Sequence, residues 1–344
     1  MVLSRLNEFS QECLLLTGQG IHWSSQLHVC LMQQTLSFVK KFHDDRKALL
    51  GRTLDSESWR QAEIPSSFQT VCTERLSSLR LSDFQPVNIT VCQRRNVLIV
   101  DQEPFVVNGT VLLLVRMLAE YCEALMLFSD FAPELLMCVV ELLKNYNSRS
   151  CQLILGAGAL QLIGLKSISV RHLALSSRCL QLVLLFMPVL KSAFEERMPE
   201  GKRHLLRHID QVSKDYRDHI QEITNKLVNV IDHCIVVQLR NWEVKGTVPS
   251  LAFSQICRQL SKFHNGIAGI MPDLMVKDLF VRVHENFKVN LKDQLGVMGV
   301  TPHDSLTYGF VSQEYLYYIK SLQSMSCCSS FKTESISDAL YGKR

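Results

Sequence analysis

From Lys202 to Arg240 the chain reads KRHLLRHIDQVSKDYRDHIQEITNKLVNVIDHCIVVQLR. Within it Leu205, Ile209, Val212, Tyr216, Ile220, Ile223, Leu227, Val230, Cys234 and Val237 recur three or four residues apart, the spacing that lines up on one face of an α-helix. Gly201 and Gly246 bracket a helix of roughly 36 residues, ~54 Å long at the standard rise. Propensity alone does not hold a helix of that length in water, so its apolar stripe must be covered by other helices. The fold is therefore expected to be all-α.

The flanking sequence agrees. Downstream, Pro249 to Ile270 and Pro272 to Leu295 read as helices, the second with Leu279, Val283, Phe287, Leu291 and Leu295 in line and Gly296 placed to stop it. A last helix is expected from Ser312 to Leu322. The Ser/Cys-rich stretch 323–344 lacks apolar periodicity and reads as a disordered tail. Upstream, Thr110 is placed to cap a helix running to Phe128, and Pro133 suits the first turn of the next, which reaches Leu143. Asn147 and Ser148 offer caps for a short helix from Cys151 to Leu165, and Ser167 or Ser169 for another that Pro188 kinks or ends. Residues 26–50 form an amphipathic pattern, with Leu27, Leu31, Leu36, Val39, Phe42 and Leu49 apolar. Four regions result: an N-terminal helical segment 1–64, a linker 65–104, a bundle 105–322 and the tail 323–344. Within the linker Val97 to Val100 and Phe105 to Val107 suit one small β-hairpin. The expected architecture is an elongated antiparallel helical bundle or rod.

Composition narrows the function. Of 344 residues 47% are hydrophobic, with Gly at 15 positions and Pro at 9, which excludes collagen-like and largely disordered classes. The net charge of +4 is too weak a field to argue for nucleic acid. The twelve cysteines contain no C-x-x-C pair and mostly sit singly in apolar stretches, as buried thiols of a reducing compartment do. Asn88 and Asn108 begin glycosylation sequons, which have no meaning outside the secretory lumen. No signal peptide is recognised at the N-terminus, and the two most apolar windows, Phe105 to Phe128 and Leu173 to Leu190, are interrupted by Arg116, Glu120, Glu123, Arg178, Gln181 and Pro188. The expectation is a cytosolic protein.

Catalytic signals are weak. Gly156-Ala157-Gly158 has its third glycine at 164 and follows helix, where a dinucleotide fingerprint needs a strand. Small residues there instead allow a neighbouring backbone to approach closely. His204 and His208 share the spacing of a zinc-binding pair, but Leu205 stands where a metalloprotease carries its general base, and no third ligand is near. Nothing marks a nucleophile. No catalytic, cofactor-binding or metal-binding residues are assigned, and neither a nucleic acid nor a small-molecule substrate is indicated. The one candidate surface is the run of exposed cations Arg203, Arg207, Lys214 and Arg217 along the long helix, suited to an acidic partner or an anionic membrane.

Several blocks resemble a known family. Asn147 to Gln161, then Gly164-Leu165-Lys166 and Leu173 to Leu182, closely resemble the C-terminal part of the vacuolar protein sorting-associated protein 54 family, subunits of the Golgi-associated retrograde protein (GARP) tethering complex. Phe38 to His43, Trp59 to Pro65, Val107 to Cys122, Lys214 to Ile220 and Trp242 to Lys245 add to the match, which spans roughly residues 30 to 295. The resemblance implies a helical rod of the multisubunit tethering-complex type and a non-enzymatic role. It also implies retrograde transport from endosomes to the trans-Golgi network, peripheral attachment to those membranes, and the other GARP subunits as partners. In the family the C-terminal region is associated with endosomal membrane, while upstream coiled coils assemble the complex and engage SNARE proteins. This chain is expected to lack those coiled coils, and its tail, Ser324 to Arg344, departs from the family pattern. A helical adaptor outside trafficking is the alternative reading, and it predicts no association with Golgi or endosome markers.

Overall fold

The computed structural model describes residues 22–65, 97–156, 168–301 and 304–341, together with residues 12 and 68. Among these residues it is helical apart from one two-stranded hairpin, as the periodicity requires. The chain divides into two compact units, residues 1–165 with 179–217 and residues 166–178 with 218–344.

The first unit is built on α1 (His22–Asp55), α2 (Gly109–Leu127) and α3 (Ala132–Ile154). α1 runs antiparallel to α2, since Phe38 meets Phe128 and Arg46 meets Glu120, and parallel to α3, since His43 meets Glu141 and Arg149 meets Asp55. The buried face of α1 differs from the expected one. Thr35, Val39, His43, Leu50 and Leu54 point inward, while Leu36 and Leu49 are exposed. His43 is tolerated because its ring nitrogens find partners, as buried polar groups must. Tyr121 Oη lies 2.7 Å from His43 Nδ1, and Glu141 Oε2 is 3.3 Å from Nε2. A neutral imidazole that donates to the carboxylate from Nε2 accepts from the tyrosine at Nδ1. The Lys47 ammonium beside Glu141 lowers that carboxyl below its ordinary range.

After α1 the chain turns at Trp59, whose φ is +53°. Ala62 N–H donates to Val107 carbonyl over 2.8 Å. The hairpin is β1 (Leu98–Val100) and β2 (Glu103–Phe105), in register Leu98 to Phe105 and Val100 to Glu103. Its second strand therefore starts earlier than the sequence suggested. Asp101 and Gln102 between the strands both have positive φ, the backbone of a two-residue I′ turn that suits the twist of a tight hairpin. The remainder of the expected linker, apart from Pro65 and Phe68, lies outside the described residues. α2 is capped by Asn108, whose Oδ1 accepts from Val111 N–H at 3.0 Å. Thr110 lies two residues past that cap and instead gives its N–H and hydroxyl to the buried Glu57 carboxylate. Pro133 opens α3 as expected. The break expected at Asn147 and Ser148 does not occur, because Tyr146, Ser150, Leu153 and Ile154 carry the buried stripe across it. The glycine block 157–164 lies outside the described residues.

α4 (Val170–Glu195) and α5 (Arg207–Arg240) each contribute to both units. By length and composition α4 could cross a membrane, contrary to the expectation from its charges, but 72% of its most apolar window is buried against protein. Pro188 does not end the helix, which continues through it to Glu195. It is exposed, so water can take the Leu184 carbonyl that its missing N–H leaves unpaired. Before α5 the chain forms a 3-10 helix, Glu200–Leu206, so the long helix begins later than Gly201 implied.

In the second unit α6 (Leu251–Ile267), α7 (Asp273–Val297) and α8 (Ser305–Gln323) surround an aromatic core. Phe287 stacks on Tyr318 at 3.9 Å between centroids, and Phe253 bridges Phe287 to Trp242. Ser250 caps α6 and Asp304 caps α8, which starts seven residues before the expected Ser312. α7 runs through Gly296, and the turn is made by Gly299 at φ +67°. The tail is not disordered through residue 341. A 3-10 turn, Ser326–Cys328, and α9 (Ile336–Tyr341) fold onto α7 and α8, because Met325, Cys328, Ile336 and Leu340 find an apolar surface to bury against.

Candidate docking surface

The first half of α5 shows how the basic row arises. Ile209, Val212 and Tyr216 are buried, and the Tyr216 hydroxyl donates to Leu143 carbonyl over 2.9 Å. With that side fixed against α3, residues on the opposite side must face solvent. At ~100° per residue Arg207, Lys214 and Arg217 fall within one ~80° sector there, and all three are exposed. Arg203 precedes them on the 3-10 helix, also exposed.

What distinguishes these four is their pairing. The carboxylates among them are engaged elsewhere: Asp210 receives Lys191 Nζ at 2.8 Å, and Asp215 accepts from Gln211 Nε2 at 2.8 Å. Lys202 approaches Glu134 at 4.0 Å. Among the described residues Arg203, Arg207, Lys214 and Arg217 form no ion pair. Three of the four are arginines, whose planar guanidinium can grip a carboxylate or phosphate through two parallel N–H bonds. Lys191 was not singled out in the sequence, since a partner on α4 leaves no local signal in α5.

His204 and His208 do not form a metal pair. The 3-10 geometry removes the i, i+4 alignment, and His204 Nδ1 sits 3.1 Å from Gly201 carbonyl. Among the described residues no three His, Cys, Asp or Glu side chains converge on a metal position.

Residues 102–233 match the model of the Vps54-like protein family. A solved structure described as the C-terminal domain of the Vps54 subunit of the GARP complex is 32% identical and covers 38% of this chain and 98% of its own, with a TM-score of 0.35. Vacuolar protein sorting-associated protein 54 of Caenorhabditis elegans is 40% identical over 327 residues, covering 89% of this chain. The chain belongs to the Vps54 family. The human member is 40% identical over 304 residues and 88% of the chain, and the Drosophila melanogaster member 36% over 307 residues. The family resemblance read from the residue blocks is thus borne out. In length the chain spans 31% of the worm and human relatives.

Proposed function

We propose that this chain is a non-enzymatic Vps54-type subunit of the GARP vesicle-tethering complex, acting in retrograde transport from endosomes to the trans-Golgi network. Its partners are the other GARP subunits, and it sits peripherally on the cytoplasmic side of trans-Golgi and endosomal membranes. The observation that carries this reading is the 40% identity to the worm relative across 89% of the chain. The helical packing supports it, since docking free energy comes from surface patches rather than from a reacting pocket. In this reading the row Arg203, Arg207, Lys214 and Arg217 docks an acidic partner or the anionic endosomal surface.

Affinity capture of the tagged chain from cytosol tests assembly. Recovery of the other GARP subunits supports the reading, and their absence confines the chain to a role outside the assembled complex. The basic row is tested separately by reversing all four charges to glutamate. Endosomal recruitment should fall severalfold while the helical circular dichroism signal stays constant, and unchanged recruitment disposes of the row as a docking site.

A further inference from the structure

The chain leaves α8 at Gln323 and folds back through the 3-10 turn Ser326–Cys328 before α9. Successive residues of such a turn project ~120° apart, so neighbouring side chains ordinarily point away from each other. Here the Sγ atoms of Cys327 and Cys328 lie 3.5 Å apart. Their surroundings are unequal. Cys328 is wholly buried in the segment that packs on α7 and α8, whereas Cys327 is half-exposed at the surface. One thiol is open to a reagent, with a shielded thiol already in contact behind it.

We infer that Cys327 and Cys328 are an oxidisable dithiol that a peroxide converts to a disulfide between adjacent residues, and that closure releases the 325–341 segment from α7 and α8. The Cys327 thiolate attacks a peroxide oxygen. An S–O bond forms, the O–O bond breaks, and the departing oxygen leaves as water. The Cys328 sulfur then attacks Cys327 Sγ, the S–S bond forms, and the S–O bond breaks. The departing hydroxide takes the Cys328 thiol proton as a second water. Two thiols are thereby oxidised and one peroxide is reduced to two waters. Burial and the adjacent sulfur raise the Cys328 thiol well above its ordinary range, so the first attack belongs to Cys327.

The structural consequence follows from ring size. The sulfurs must close from 3.5 Å to ~2.05 Å, and the resulting eight-membered ring includes the Cys327–Cys328 peptide. That peptide's N–H, on Cys328, donates to Met325 carbonyl at 2.9 Å, and the carbonyl of the next peptide, also on Cys328, accepts from Phe331 N–H at 3.0 Å. Twisting the first peptide breaks its bond to Met325 and turns the Cys328 carbonyl away from Phe331, which withdraws from its edge-on contact with His284 at 5.4 Å. Ile336 and Leu340 then lose their anchor. A disulfide closed under such strain is easily reduced, which makes the change reversible.

The test treats the whole chain with hydrogen peroxide, quenches it, alkylates with N-ethylmaleimide and digests it for mass spectrometry. The peptide holding both residues should be about 2 Da lighter than its dithiol form, the mass of two hydrogens. It should carry no maleimide and should revert with dithiothreitol. Amide exchange across 336–341 should rise severalfold in the oxidised chain. Cys328→Ser should accumulate a dimedone-reactive sulfenic acid at Cys327 that the parent does not, and Cys327→Ser should abolish both products. Two maleimides on that peptide, equal dimedone trapping in parent and Cys328→Ser, or a bridge from Cys327 to a third cysteine each overturn the dithiol. Unchanged exchange in the oxidised chain overturns the release.

Discussion

Glu57 buries its carboxylate at the N-terminal turn of α2, where it accepts from Thr110 N–H at 3.1 Å, the Thr110 hydroxyl and Trp59 N–H at 3.0 Å. Helix N-termini leave donors unsatisfied and carry partial positive charge, so an internal anion is stabilised there. Glu57→Ala orphans three buried donors and should cost about 3 kcal/mol in urea unfolding, and Glu57→Gln, with one acceptor oxygen left, about half as much. A fall of a few tenths would show that water replaces the carboxylate freely. Two imidazoles act on stability through pH. Burial holds His219 and His284 down at about 4, against ~6.5 in an unfolded chain. As pH falls the unfolded state takes up those protons first, so their contribution is intact above pH ~6.5 and is lost between there and pH ~4, up to ~3 kcal/mol for each. Glu314 and Asp232 work in the opposite sense, because burial raises both carboxyls above the ordinary range and acidification relieves that cost. The imidazole loss sets in at pH ~6.5, above the carboxylate range, so the urea midpoint should drop between pH 7 and 5, and His219→Gln or His284→Gln should flatten the slope. A midpoint that rises on acidification would contradict the assignment.

At the scale of elements one constraint between helices is Gly266 in α6, where a Cβ would lie 2.7 Å from Val170 Cγ2 at the start of α4. Alanine in an open helical site gains ~1 kcal/mol over glycine, so an unobstructed Gly266→Ala would raise the melting temperature. The β-branched valine cannot swing clear, and overpacking costs ~1–3 kcal/mol, so the melting temperature should fall. Adding Val170→Ala to Gly266→Ala should recover it, and a cycle showing no coupling would sink the contact. The long helix shows how far its sequence could be read. Its existence and length followed from the spacing, but its second half buries Leu227, Ile231, Ile235 and Leu239 and leaves Val230 and Val237 half out at 37%. Two apolar rows run side by side there. The choice between them accompanies contacts from α7, Arg282 to Asn225 and Asn286 to Asp232, which no local pattern encodes. His43 in the buried stripe of α1 was illegible for the same reason, its partners Tyr121 and Glu141 being 78 and 98 residues away. Ile336 and Leu340 make only one turn of helix, too short for a periodic signal, and are buried only in company with α7 and α8. The basic row was visible as cations, but not that Lys191 and Gln211 engage the acids between them.

For the whole molecule, the order of the chain decides which pieces can stand alone. The first unit comprises residues 1–165 and 179–217, and the second 166–178 and 218–344. A fragment ending at Arg217 holds every residue of the first unit, including Leu182, Val183, Phe186, Met187 and Leu190 of α4 and Ile209, Val212 and Tyr216 of α5, all buried. A fragment ending at Leu165 loses those side chains, each worth ~1.5–3 kcal/mol when fully buried, against a typical domain stability of only ~5–15 kcal/mol. No contiguous fragment supplies the second unit by itself, because its piece 166–178 is separated from 218 by the α4 and α5 segments of the first. A fragment 218–344 lacks Val170, which Gly266 of α6 approaches closely, and the buried Leu173, Ala174 and Leu175. Residues 1–217 should therefore melt cooperatively by circular dichroism, whereas 1–165 and 218–344 should show shallow transitions and rapid amide exchange. A sharp, independent melt of 218–344 would mean that the first turns of α4 contribute little to the second unit.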